Sequence, residues 1–471
     1  MNKKNRFLLK NIVLFTLGSF GSKILSFLFV PLYTSVLSTT EYGSVDLITS
    51  TASLLIPVFL LSIFDATLRF GMDSKYKKED VLSTSLNIAM KGSLILIICV
   101  IFLSTTNLIN ISNVYLVYLC IYFILNALNQ ILNLYLRTKN KAVVIAMSGV
   151  LCTFVTCIMN VGLLLIFKLG IIGYIISNTF GILLQNIYQL FAGKVYKDIR
   201  FRKYNDLSKP MIKYSSPLIA NSISWWINNA SDRYILTLLR GVAANGIYSV
   251  SYKIPTILSM FQGIFYNAWS ISAISEFDQS DEDGFIGSNY SIYSFISLLI
   301  CSIILVLNIP LAKFLYRGDY FNAWECVPFL LMGTVFSGIS QFEGSLFAAV
   351  KNTKSVAKTT VIGAIINTIC NFIFIYYIGT IGAALATLFG YSITWALRTK
   401  YLHKFIKMKV DWPIHFFSIF IVVVQSFFAT FDAPLLLQFC IFILLLILNR
   451  NLIFPFVKIF CKTLANISHG N

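Results

Sequence analysis

From Gly92 to Leu136 the chain carries no Asp, Glu, Lys or Arg, and the same holds from Thr359 to Leu397. Each run is long enough for two spans of ~20 residues, the length that crosses a hydrocarbon core. Cutting the rest of the chain at charge clusters and turn residues predicts about fourteen helices. They fall near 11–37, 44–69, 83–105, 112–136, 143–167, 169–193, 212–239, 245–273, 288–309, 325–349, 356–378, 380–397, 412–430 and 433–453. No period-two alternation broken by turns competes with this pattern, which argues for an all-α integral membrane protein and against a barrel. The first segment follows Lys3, Lys4, Arg6 and Lys10, but it is too long for a signal-peptide core and further segments follow. It reads as a retained helix.

The polar punctuation of these segments repeats. Gly170, Gly173 and Gly181 return as Gly379, Gly382 and Gly390, displaced by 209 residues. Each triplet is preceded by an Asn (Asn160, Asn371) and by a short basic loop, 137–141 or 351–354. At the start of each half an apolar segment meets a turn expected at Tyr42-Gly43 or Asn245-Gly246, 203 residues apart. The pattern predicts an N-terminal six-helix lobe (1–195), an inter-lobe linker (196–211), a C-terminal six-helix lobe (212–405) and two additional helices with a tail (406–471). Six spans per half make the repeats parallel, an arrangement found in secondary transporters that rock one half against the other.

Composition agrees with the pattern: 57% hydrophobic and 12% charged residues, with a mean hydropathy of +0.78, lie outside the soluble range. The formal charge of +18 invites a nucleic-acid reading until the cations are placed. Alternating the loops between sides puts 28 of the 37 Lys and Arg on one side, four on the other and five within spans. The positive-inside rule then makes both termini and the linker cytoplasmic, in a cell-membrane protein. The charge therefore reports topology and leaves no role for nucleic acid. The linker interleaves apolar and basic residues, as a helix lying on an anionic leaflet does, although an ordinary positive-inside linker looks the same. The nine cysteines are scattered without a Cys-x-x-Cys, and His403, His415 and His469 form no ligand set, so no metal site or disulfide framework is expected.

Three stretches carry a resemblance: Pro31-Leu-Tyr-Thr-Ser-Val-Leu-Ser-Thr-Thr-Glu41-Tyr-Gly-Ser-Val-Asp-Leu, Leu68-Arg-Phe70, and Ile212-Lys-Tyr-Ser-Ser-Pro217-Leu-Ile. By their order and spacing, and by span count and duplication, the whole chain resembles the polysaccharide-unit (Wzx-type) flippases. These belong to the multidrug/oligosaccharidyl-lipid/polysaccharide (MOP) exporter superfamily. The resemblance implies two six-helix lobes around a central cavity. It implies as substrate a polyprenyl-pyrophosphate-linked oligosaccharide, moved from the cytoplasmic to the outer leaflet of a bacterial plasma membrane for surface polysaccharide assembly. Polymerase and glycosyltransferase partners would act before and after it.

An anionic pyrophosphate with a sugar chain asks for cations, amides and aromatic faces inside the membrane, where each charge costs ~2.5–3.5 kcal/mol on insertion scales. The candidates for substrate contact are Lys23 in the first span, Lys253 in the eighth, Arg233, Asn228 and Trp225 in the seventh, and Asn129 in the fourth. Asn126, Asn129, Gln130 and Asn133 share one helical face, which suits either a wet cavity or interhelical hydrogen bonds. Asp232, Glu343 and Asp46 are carboxylates at membrane depth, candidates for a coupling proton or sodium ion or for structural pairing with a cation. Adjacent Asp232 and Arg233 read as a structural or gating pair as readily as a substrate contact. No Gly-x-x-x-x-Gly-Lys-Ser/Thr motif marks nucleotide use, and no cofactor is expected. Two other classes stay open: a multidrug or cation antiporter of the same fold, expected to carry an anionic cavity, and a membrane polymerase or glycosyltransferase. The longest external loop, about 310–324, is short for an enzyme.

Overall fold

The computed structural model describes residues 21, 23–106, 111–200, 205–275, 277–350 and 352–452. The N-terminal basic cluster, His469 and Cys461 lie outside the described residues. Within them the regular structure is entirely helical. The helices are α1 (Lys23–Val36), α2 (Thr39–Phe59), α3 (Ile63–Gly71), α4 (Lys78–Thr106), α5 (Asn113–Thr138), α6 (Ala142–Asn160) and α7 (Gly170–Ala192). Next come α8 (Asn205–Ser215), α9 (Leu218–Arg240), α10 (Val242–Ser251), α11 (Pro255–Ser275) and α12 (Phe285–Val306). The chain continues with α13 (Asn308–Leu315), α14 (Val327–Ala349), α15 (Thr353–Leu402), α16 (Trp412–Thr430) and α17 (Leu435–Leu448). Among the described residues eight helices are long and apolar enough to cross a membrane, or nine when Gly318–Glu325 and α14, bent by 51°, count as one span. Two of the predicted segments lie on α15, which breaks at Ile378 and Gly379.

The chain divides into two compact units, Met1–Tyr234 and Ile235–Asn471. The first is built around α2 to α7, with Phe123, Ile131, Leu132 and Tyr135 of α5 fully buried against α3 and α4. In the second, α14 is buried along most of its length, and Phe342 stacks on Trp269 of α11 at 4.1 Å. The sequence repeat places α9 at the start of the second half, yet its residues up to Tyr234 fall in the first unit, where several are tied to α2.

Repetition of packing goes further than the glycine triplets. In the first unit, a Cβ on Gly181 would collide with Thr156 and lie 3.1 Å from the Cys152 carbonyl oxygen, and one on Gly173 would lie 3.2 Å from that of Leu163. In the second unit, a Cβ on Gly390 would lie 2.7 Å from Asn367 Cβ and 3.3 Å from the Gly363 carbonyl oxygen, and one on Gly382 would collide with the backbone of Phe374. Cys152, Thr156 and Leu163 correspond to Gly363, Asn367 and Phe374 by one displacement, which also relates Asn160 to Asn371, both fully buried. Small residues thus let the same two helices approach closely in each unit. Gly170 and Gly379 both hold positive φ, +52° and +60°, where a side chain would be strained.

The turns that open each half lie a few residues earlier than Tyr42-Gly43 and Asn245-Gly246. Those four residues are buried inside α2 and α10. The breaks come at Ser38 and Gly241, still 203 residues apart. Ser38 and Glu41 form a capping box that satisfies the first N–H groups of α2 without needing a glycine. Several basic residues that set the charge asymmetry cap helix ends: Lys78 donates to the Thr138 carbonyl (2.6 Å), Lys141 to that of Gly193, and Arg240 to those of Ile375 (3.2 Å) and Tyr376 (2.6 Å).

Candidate functional site

Three helices are interrupted where the sequence carries proline. Pro217 separates α8 from α9, and Pro255 opens α11 after a non-helical stretch, Tyr252–Ile254. Proline lacks the N–H that would continue the ladder and disfavours helical φ/ψ in the residue before it. In α2, Pro57 precedes a break at Leu60–Ser62, where Leu61 and Ser62 take positive φ of 54° and 50°. Lys253 sits in the α10–α11 break, half-buried. Lys23 lies exposed on α1.

In the first unit Arg233 of α9 pairs with Asp46 of α2 at 2.8 Å and donates to Ser50 Oγ at 2.9 Å. Its neighbour Asp232 is buried and accepts from the Arg233 backbone N–H at 2.9 Å. Around this pair Trp226 donates its indole N–H to the Ser50 carbonyl (2.8 Å), and the Tyr234 hydroxyl reaches the Leu47 carbonyl (3.2 Å) and Thr51 Oγ1 (2.7 Å). The arrangement draws together three predicted residues, Asp46, Asp232 and Arg233, and adds Ser50, Thr51, Trp226 and Tyr234. On α9, Asn221, Trp225 and Asn229 are exposed at four-residue spacing, an amide and aromatic strip. Asn228 is half-buried and donates to the Ser224 carbonyl at 3.1 Å.

Asn129 belongs to a different cluster. It donates to Asn186 of α7 (2.9 Å) and accepts from Asn133 (2.7 Å), while Gln189 donates to Asn133 (3.0 Å) and to Ser148 (2.8 Å). These amides zip α5, α6 and α7 together.

Glu343 lies in the second unit, fully buried on α14. Its Oε1 accepts from Thr399 Oγ1 (2.6 Å) and from the Tyr290 hydroxyl (3.4 Å), and Oε2 has no hydrogen-bond partner among the described residues. Arg398, buried on α15, donates to the Ser340 carbonyl (2.6 Å), Thr359 Oγ1 (3.1 Å) and Thr360 Oγ1 (2.8 Å), all uncharged. Sequence reasoning counts Arg398 among the cytoplasmic loop cations. It ends the charge-free run 359–397, and the helix carries it inward rather than into a loop. His403 and His415 also come together, flanking the Trp412 ring at 4.9 and 5.8 Å between centroids. Their separation in sequence hides this, because a turn returns the chain between α15 and α16. His415 carries a weak signal of its own, an ionisable residue inside an apolar segment.

A family model described as "Polysaccharide biosynthesis protein" matches residues 8–270. A "Probable low-salt glycan biosynthesis flippase Agl15" of Haloferax volcanii is 22% identical over 240 residues, 48% of this chain and 50% of that protein. The chain thus spans about half the length of that relative. Among solved structures, "Lipid II flippase MurJ, inward closed conformation" superposes with a TM-score of 0.67 at 20% identity, covering 94% of this chain and 100% of the other. An inward-facing multidrug resistance MATE family transporter of the MOP superfamily gives 0.64 at 12% identity, covering 80% and 93%. At these identities the structural likenesses speak for the fold. With more than half of its length matched by the family model, this multi-pass membrane chain belongs to the polysaccharide biosynthesis protein family.

Proposed function

We propose that this protein is a flippase. It carries a polyprenyl-pyrophosphate-linked oligosaccharide unit from the cytoplasmic to the outer leaflet of a bacterial plasma membrane by alternating access, with both termini cytoplasmic. One observation carries the reading: Lys253 stands in a helix break, between the end of α10 and the start of α11. Interrupted membrane helices present ion-binding ends inside transporters, and a lysine at such a break suits an anionic pyrophosphate. Lys23 supplies a second cation, and Trp225 with Asn228 and its neighbours gives a sugar the stacking face and amides it needs. Asn129 is retained as a weaker sugar contact, since its amide is shared with Asn186 and Asn133. Family membership and the glycan-flippase relative support the flippase reading, and the MurJ-like fold is compatible with it. Arg233 and its carboxylates act in this scheme as a latch between α2 and α9, and Asp46, Asp232 and Glu343 remain the candidates for a coupling proton or sodium ion. Polymerase and glycosyltransferase partners are proposed on the family's chemistry.

The drug-antiporter reading shares the fold, as the MATE likeness shows. Reconstitution distinguishes the two. Proteoliposomes holding a fluorescent prenyl-pyrophosphate-linked saccharide should expose it to a membrane-impermeant quencher faster than empty vesicles do. Lys253→Ala and Lys23→Ala should abolish the gain, and Lys253→Arg should keep part of it. Equal flipping by both alanine variants at equal protein content would refute the site. Transport of organic cations with no saccharide flipping would refute the function.

A further inference from the structure

Resting on the reading that Glu343 carries a coupling ion, we propose that the ion is a proton and that His415 and Tyr290 relay it to Glu343 from a pocket between α12, α16 and the end of α17. The pocket holds about 120 Å³; its wall is largely apolar, with Phe295, Leu298 and Leu448, and Asp411, His415 and Asn451 supply polar groups. Asp411 and Asn451 are exposed, whereas His415 is buried, so the pocket leads from accessible polar groups to the imidazole. By the charge asymmetry this end of the helices faces the cytoplasm.

The Tyr290 hydroxyl accepts from the Trp395 indole N–H at 3.1 Å, which leaves its single proton to be donated. Its acceptor is Glu343 Oε1 at 3.4 Å, and on the other side His415 Nε2 stands at the same 3.4 Å, where a protonated Nε2 donates to the phenol oxygen. The other imidazole nitrogen, Nδ1, faces Ser294 Oγ at 3.4 Å. Neither phenol contact is short enough to be a firm structural bond, since hydroxyl bonds centre near ~2.7–2.8 Å. The phenol is therefore placed between acid and imidazole without being committed to either. Its ring packs against Phe342 and Trp412, 5.5 and 5.9 Å between centroids, so apolar surface surrounds the hydroxyl bridge.

The step balances. A proton taken up at Nδ1 makes the imidazolium of His415. The imidazolium then passes its Nε2 proton to the Tyr290 oxygen as Tyr290 passes its own to the Glu343 carboxylate. Neutral imidazole, phenol and carboxylic acid remain, and one positive and one negative charge have been removed from the buried region. The other groups facing Glu343, Arg398 and Thr399 on α15, are off this line, as are Tyr266 of α11, which faces Arg398, and Tyr293 of α12, which stacks on Phe342.

Infrared spectroscopy after a rapid pH drop, on purified protein in lipid nanodiscs, reads the protonated-carboxyl C=O band. Glu343→Gln should remove one band component. Tyr290→Phe and His415→Gln should keep that component and slow its appearance by about a hundredfold, the scale of a positioned proton donor. Tyr293→Phe, which borders the same Phe342 off the relay, should leave the rate unchanged. Thermal unfolding of each variant accompanies the measurement, and His415→Gln carries the test if Tyr290→Phe does not fold. Wild-type speed in the relay variants would refute the relay and leave Glu343 as a titrating site. A spectrum with no Glu343-dependent component would overturn the coupling role and the relay together.

Discussion

Arg233 of α9 meets Asp46 of α2 at 2.8 Å, across 187 residues of sequence, while the adjacent Asp232 accepts from the Arg233 backbone N–H at 2.9 Å. Successive residues on a helix point about 100° apart and do not face each other, and the Arg233 guanidinium reaches a carboxylate on α2. The Arg233 and Asp46 side chains keep 20% and 16% of their exposure, which leaves the pair little solvent screening. A double-mutant cycle with Asp46→Asn and Arg233→Gln should return a coupling of about 1–3 kcal/mol in thermal or denaturant stability. Additive losses would show that the latch contributes no pairwise energy.

The glycine contacts make a graded prediction. Gly382→Ala and Gly181→Ala place a methyl into the Phe374 backbone and the Thr156 hydroxyl, and each should lose about 1–3 kcal/mol, the cost of overpacking. Gly149→Ala on α6 meets nothing within 4 Å and should be neutral or stabilising by about 0.5–1 kcal/mol, the helix-propensity gain. Melting temperatures of the purified variants in detergent check the order. Equal behaviour of all three would remove close packing as the reason for the repeat.

Asp281 is a buried staple in the loop before α12. Its carboxylate accepts from the backbone N–H groups of Ile286, Gly287 and Lys409, each at 2.9 Å. Asp281→Ala orphans buried donors that cost about 1–3 kcal/mol each, so it should rank among the most destabilising single changes. Asp281→Asn keeps one acceptor and tolerates the φ of 50°, and should be milder. Limited proteolysis near residues 276–284 would report the loss directly.

Topology can be tested at two exposed positions, Lys77 and Asp319. In a background without native cysteines, Asp319→Cys should react with an impermeant thiol reagent in whole cells and Lys77→Cys only after permeabilisation. The reverse pattern would invert the proposed direction of transport.

Hydropathy runs, the basic asymmetry and the repeated glycines are local or periodic properties, and they alone determined that this chain is helical and membrane-embedded, with a glycine pattern that recurs 209 residues on. Even the displaced turns at Ser38 and Gly241 kept the expected spacing of 203. Lys23 and Lys253 stood out for the same reason, as isolated cations in apolar surroundings. The partners of polar groups were decided by packing between remote segments. The amide stripe of α5 is visible as a face, but only the approach of α7 assigns it to Asn186 and Gln189. Arg398 looks like a loop cation until α15 carries it against Ser340, Thr359 and Thr360. Tyr290, Glu343 and His415 lie on three helices and share no spacing rule. Their meeting depends on how α12, α14 and α16 pack, because a buried polar atom takes whichever partner the fold delivers to it.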